Sequence, residues 1–292
     1  ILLTNTLAVG TCHRGAIDWM TTRHPNAGGE WLLPVVAETY DGYLSDIRGN
    51  HVTPSHVYHA LDSATTDCEI EEGSVGGGCG MISYGFKAGS GSSSRIVSFG
   101  SHIYTLGVLV QSNFGRRREL SLCGVPLGPL LLEDNPLADY CSSSSSSSAN
   151  PQSLTEGAGS LIAVLATDAP LLPGQCKALA RRVSLGMART GSVCSHFSGD
   201  IFLAFSTANE GSLSSDMPKE GGVEELETLQ FVPWGCMDRF FEAAVQAAEE
   251  AIVNALLAGG RRGEVVGFQG HRVPALPLDE VLRQLRLRGV LP

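Results

Sequence analysis

The segment GSLIAVLATDAP, residues 159–170, constrains the fold more than any other. Leu161 to Ala166 are apolar without interruption, bounded by Gly159-Ser160 on one side and by Thr167, Asp168 and Pro170 on the other. A run this short between turn residues reads as a strand. It has no polar alternation, so both of its faces must be buried. The question is why a glycine and a serine stand at the mouth of such a strand.

Other segments alternate in the same manner. ILLTNTLAVG at the start reads as a strand, followed by a helix over roughly Arg14 to Arg23. VTPSHVYHALDSA reads as a helix with Thr53 as N-cap and Pro54 in the first turn, where its missing N–H costs nothing. GSVGGGCGM is a glycine loop and IYTLGVLVQSN a strand. Between Glu133 and Glu156 the composition shifts, with seven serines from Ser142 to Ser148, the signature of a disordered linker. LPGQCKALARRVSLGMART then reads as one helix with Pro173 near its start, and GDIFLAFSTAN as a second buried strand. A polar insert follows from Glu210 to Glu225, then helices over about Cys236 to Leu257 and Leu278 to Leu287. Buried strands alternating with helices imply an α/β fold, a sheet core covered by helices on its outer faces. Residues 1–292 read as one domain, with the linker an excursion within it.

Composition excludes several functions. A formal net charge of −10 argues against a nucleic-acid or anionic-membrane surface, which needs clustered Lys and Arg. Arg116, Arg117 and Arg118 form the one basic triplet and read as a solvated loop. No stretch reaches the roughly 18 to 20 apolar residues that span a bilayer. No signal peptide is readable before Ile1, and the opening in mid-strand suggests a further upstream piece. The eight cysteines show no C-x-x-C or zinc spacing and read as buried free thiols of a reducing cytoplasm, a Cys123–Cys141 disulfide being the alternative.

Standard catalytic motifs are missing. No serine lies in G-x-S-x-G or S-x-x-K, and the glycine loop has neither Rossmann spacing nor a P-loop lysine. The eight histidines form no H-E-x-x-H pair, and His196, near Ser198, reads as structural or exposed. Gly159-Ser160 remains. Cleavage between them by the serine hydroxyl would free the Ser160 α-amine, with a reference pKa of about 7.7 to 8.0. Such an amine is a base beside its own nucleophile, and no distant histidine is needed.

TNTLAVG, LPVVAETYDGYLSDI, HVTPSHVYHALDSA, EEGSVGGGCGM, YTLGVLVQSNFG, GSLIAVLATDAPLLP, LARRVSLGMARTGS and SGDIFLAFSTAN occur in that order. Together they resemble the L-aminopeptidase D-amidase/D-esterase (DmpA-like) family, which includes the β-peptidyl aminopeptidases. The resemblance covers most of the chain outside the serine tract and the insert after Asn209. It implies a four-layer αββα sandwich, similar to N-terminal-nucleophile hydrolases but differently connected. It also implies a precursor that cleaves itself at Gly159-Ser160 into segments 1–159 and 160–292, with Ser160 as nucleophile. The family's oxyanion residues fall on Tyr40 and Asn113, and its nucleophile-orienting pair on Ser198 and Asp200, where some relatives carry Glu. Family members carry a further N-terminal portion that contributes to the sandwich and pocket wall.

The expected activity is therefore a self-processing serine aminopeptidase or amidase without metal or organic cofactor. Its expected substrates are short peptides, amides or esters with a free amino terminus, and its assembly a homo-oligomer, a tetramer by resemblance. The alternatives are a non-catalytic remnant acting in assembly or binding, and an acyltransferase similar to the glutamate N-acetyltransferases. Those carry a threonine nucleophile where this chain has Gly-Ser.

Overall fold

The computed structural model describes residues 1–26, 32–66, 68–144, 157–212 and 226–292. The first part of the chain forms β1 (Leu2–Asn5), α1 (Val9–Arg23), β2 (Val36–Thr39) and α2 (Pro54–Asp62). Next come a short hairpin, β3 (Ile82–Ser83) and β4 (Phe86–Lys87), and a long one, β5 (Ser90–Phe99) and β6 (His102–Asn113). A further hairpin, β7 (Ser121–Leu122) and β8 (Val125–Pro126), precedes α3 (Pro136–Ser144). The second part holds β9 (Ser160–Thr167), α4 (Pro173–Ala180), α5 (Val183–Arg189), β10 (Ile201–Ser206) and α6 (Asp238–Gly259). The hairpin β11 (Val265–Val266) and β12 (Arg272–Val273) and helix α7 (Leu278–Leu287) complete it.

The main sheet has the order β10–β9–β6–β5, with β9 antiparallel to β6 and parallel to β10. Leu161, Ala163 and Leu165 point to one face, into a core shared with Ala244, Ala247, Ala251 and Ile252 of α6. Small residues on that helix let it lie close against β5 and β6. Ile162 points to the opposite face. There it stands across from Gln111 of β6, whose Nε2 donates to Thr4 O of β1 at 3.3 Å and to the Thr39 hydroxyl of β2. The parallel pair β1–β2 thus lies over that face, with α1 packed outside it against β2 and α2. The layers run helix, sheet, sheet, helix; the apolar strand is fully buried on the α6 face, whereas on the other face Ile162 is buried and Val164 and Ala166 are half-buried. Full burial stabilises each of Leu161, Ile162 and Leu165 by about 1.5–3 kcal/mol.

Several expectations are corrected by packing. The first strand ends at Asn5, whose Oδ1 accepts from Ala8 N at 3.0 Å and caps a 3-10 turn, Thr6–Ala8. The helix after it therefore starts at Val9, and buries Cys12 and Ala16 against Val57 of α2. The expected single helix from Pro173 is two, because α4 packs on β10 while α5 packs on α6. β10 is not buried on both faces: it is an edge strand, with Ile201 54% and Phe205 39% exposed. Within the expected disordered linker, residues Pro136–Ser144 are helical, and Tyr140 packs edge-on against Tyr43 and His271. Residues 145–156 and 213–225 of the linker and insert lie outside the described residues.

The arginine triplet is not a solvated loop. Arg117 is 2% exposed and donates to the carbonyls of Tyr84, Gly85, Leu131, Glu133 and Asp134, while its guanidinium lies 3.5 Å from the Phe86 ring centroid. Five donors in a planar fork suit such a carbonyl cage. All eight cysteines are free, Cys123 and Cys141 included, but Cys12 and Cys176 alone are buried. Cys68, Cys79, Cys123, Cys194 and Cys236 are exposed, because they stand in turns and loops instead of on the apolar faces.

Candidate active site

Three chain segments meet where β9 begins. The antiparallel register of β6 and β9 sets Asn113 directly across from Ser160. On the other side Gly159 forms a parallel bridge with Ser198, in the loop that leads into β10. Only glycine fits at 159: its φ is +156°, and a Cβ there would lie 2.0 Å from the Asn113 carbonyl oxygen. That close approach is what the residue before Ser160 must allow.

The Ser160 hydroxyl is held from the β10 side. Its Oγ accepts from Gly199 N at 3.0 Å. Asp200 Oδ1 accepts from Leu161 N at 2.8 Å and from Ser198 Oγ at 2.7 Å. The SGD segment thus holds Ser160 through the Gly199 amide and Leu161 through the Asp200 carboxylate, which the Ser198 hydroxyl in turn orients.

Asn113 is 7% exposed, and its amide orientation follows from its partners. Oδ1 accepts from Ile82 N at 2.9 Å, while Nδ2 donates to Tyr40 O at 2.9 Å. A backbone donor and a backbone acceptor leave a single way round for the amide. Nδ2 carries two hydrogens, so one remains beyond the bond to Tyr40. Tyr40 meets Asn113 through its carbonyl, not its hydroxyl. The ring lies over Gly42, where a Cβ would stand 2.4 Å from the phenol oxygen, and the hydroxyl makes no hydrogen bond among the described residues. Burial pushes the Tyr40 phenol above its usual range, so it remains a donor.

Ser160, Ser198, Asp200 and Asn113 therefore come together with Gly159, and Tyr40 reaches them through its backbone. His196 is exposed, edge-on to Phe197. Gly199 and Ile82 act through their backbone N–H and were not singled out from the sequence. Gly199 had a visible signal, its place between Ser198 and Asp200. Ile82 had none, because a backbone donor leaves no mark in side-chain chemistry. Among the described residues no group of three or more His, Cys, Asp or Glu could hold a metal ion, and no helix is long and apolar enough to cross a membrane.

Solved structures share this fold. The L-aminopeptidase D-Ala-esterase/amidase of Ochrobactrum anthropi, described as a prototype for the serine aminopeptidases and a variant of the Ntn hydrolase fold, superposes with a TM-score of 0.84 at 38% identity. The match covers 99% of this chain and 74% of that one. A β-aminopeptidase of Burkholderia sp. gives a TM-score of 0.82 at 38% identity, over 100% of this chain and 74% of the other. Fold and relatives thus define a peptide-bond hydrolase built on a variant of the Ntn hydrolase fold. In sequence, the β-peptidyl aminopeptidase BapA of Sphingosinicella microcystinivorans is 42% identical over 287 residues, 98% of this chain and 69% of that protein. The chain belongs to peptidase family S58, whose model matches residues 1–273.

Proposed function

We propose that this chain cuts itself between Gly159 and Ser160 and then acts as a serine aminopeptidase or amidase on short peptides, amides or esters with a free amino terminus. The observation that carries the proposal is the placement of the Ser160 hydroxyl on the Gly199 N–H, directly across the sheet from Asn113.

In the first step Ser160 Oγ attacks the Gly159 carbonyl carbon, the Gly159–Ser160 C–N bond breaks, and the nitrogen takes a proton. Water then hydrolyses the resulting ester, leaving a Gly159 carboxylate and a free Ser160 amine. In the processed enzyme that amine accepts the hydroxyl proton as Ser160 attacks a substrate carbonyl, and returns it to the leaving amine; water then hydrolyses the acyl-serine ester, releasing the acid and restoring the hydroxyl. The second Nδ2 hydrogen of Asn113 serves the developing oxyanion, and the Tyr40 hydroxyl is a further donor once turned from Gly42. Asp200 and Ser198 hold the nucleophile's strand in place.

Assembly as a homotetramer belongs to the same proposal, supported by the exposed Ile201 and Phe205 on an edge strand. Light scattering tests it. The function itself is tested by N-terminal sequencing and intact mass, together with hydrolysis of amino-acid p-nitroanilides. Sequencing should return Ser-Leu-Ile-Ala, and Ser160→Ala should leave one uncut, inactive chain. A cut within the serine tract would point to an external protease instead.

A further inference from the structure

Lys87 on β4 is 0% exposed and takes no part in the chemistry above. Its Nζ donates to three backbone carbonyls: Gly78 at 3.2 Å, Met81 at 3.3 Å and Ala88 at 2.5 Å. No carboxylate hydrogen-bonds to it among the described residues, and desolvation draws the ammonium down to about 8. Burying a cation without a counter-ion is costly, and an apolar residue of similar length would fill the space without that cost.

The peptide joining Met81 to Ile82 connects this cation to the active site. Its carbonyl accepts from Lys87 Nζ, and its N–H donates to Asn113 Oδ1 at 2.9 Å. Hydrogen bonds in series polarise one another, by about 10–30% per bond in a low-dielectric interior. A positive charge at one end draws electron density from the Met81–Ile82 amide, and through Oδ1 from the Asn113 amide. The Nδ2–H on the far side becomes a stronger donor.

We infer that Lys87 is a positioning residue for hydrolysis, which orients the Asn113 amide through the Met81–Ile82 peptide and strengthens its Nδ2–H toward the oxyanion. This rests on the oxyanion role proposed for Asn113. Lys87 touches neither substrate nor nucleophile in this scheme. Its effect passes through one side chain.

The test compares the wild type, Lys87→Met, Asn113→Ala and the double variant on one p-nitroanilide, with turnover expressed per Ser160 terminus found by intact mass. Lys87→Met should lower kcat about tenfold with KM within about twofold, and should cause no further loss when Asn113 is already alanine. An equal loss in both backgrounds, or none in either, overturns the inference. Wild-type turnover in Asn113→Ala alone is a separate failure, that of the oxyanion reading. Should Lys87→Met not fold, Lys87→Gln replaces it, since its amide keeps donors for the carbonyls while removing the charge. Failure of both to fold would assign Lys87 to the fold alone and also overturn the inference.

Discussion

Replacing Asn113 with alanine separates two costs that the structure keeps distinct. The side chain holds Ile82 N and Tyr40 O, at 2.9 Å each, and stands across from Ser160. Truncation leaves the buried Ile82 N–H without its acceptor, a loss of about 1–3 kcal/mol of stability. It also removes the proposed oxyanion donor, expected to lower turnover by about 10² to 10³, or roughly 2.7 to 4 kcal/mol of barrier. Asn113→Asp keeps an acceptor for Ile82 N but has no N–H for the oxyanion, and its second oxygen faces the Tyr40 carbonyl that Nδ2 now binds. Denaturant melts should therefore find it no more stable than the alanine variant, and its turnover should fall at least as far. The assay is kcat on a minimal amino-acid amide, normalised to processed chain. Turnover within about threefold of wild type in folded Asn113→Ala would refute the oxyanion role.

Gly199→Ala places a Cβ 3.1 Å from Ser160 Oγ while keeping the N–H, so self-cleavage followed by gel should slow on the order of tenfold; an unchanged rate would free the hydroxyl from that contact. The proposed base is the Ser160 amine, so activity should fall as pH drops below about 7.7 to 8.0, a range that burial lowers and nearby Asp200 raises. His196→Ala should retain that acid limb, and its loss in a chain still cut at Ser160 would make His196 the base. Asp41 has a buried Oδ1 without a partner, and burial raises its carboxyl above the usual range. The folded state then binds its proton more tightly than the unfolded chain, so stability falls as pH rises through the carboxylate range. Asp41→Asn should raise Tm at pH 7 and lose that gain toward pH 4; an equal gain at both would exclude the carboxylate as the cause.

Much of the layout was legible from local pattern. Helix α7 has its expected bounds, Leu278–Leu287, and α2 begins at Pro54 after a Thr53 whose N–H donates to His56 Nδ1 at 3.1 Å. Such features depend on turn chemistry and periodicity within a few residues, so the sequence expresses them directly. The break between α4 and α5 was not legible, because Arg181 and Arg182 are ordinary helix residues until two different partners claim the halves on either side. The site divides along the same line. Its side chains could be matched one by one, whereas the backbone donors of Ile82 and Gly199 have no residue type to announce them.

By itself the sequence determined that β9 is a strand buried along most of its length and that Gly159-Ser160 stands where it begins, since an unbroken apolar run with a glycine before it admits little else. Tertiary structure decided what surrounds that dipeptide and which charges go inside. Arg117 and Lys87 read as surface residues in any local window, yet each is enclosed by carbonyls. For Arg117 these come from residues up to 33 positions away in the chain. For Lys87 they come from within nine positions, so what buries a cation is the packing of loops and hairpins around it, and that exists only in the folded chain.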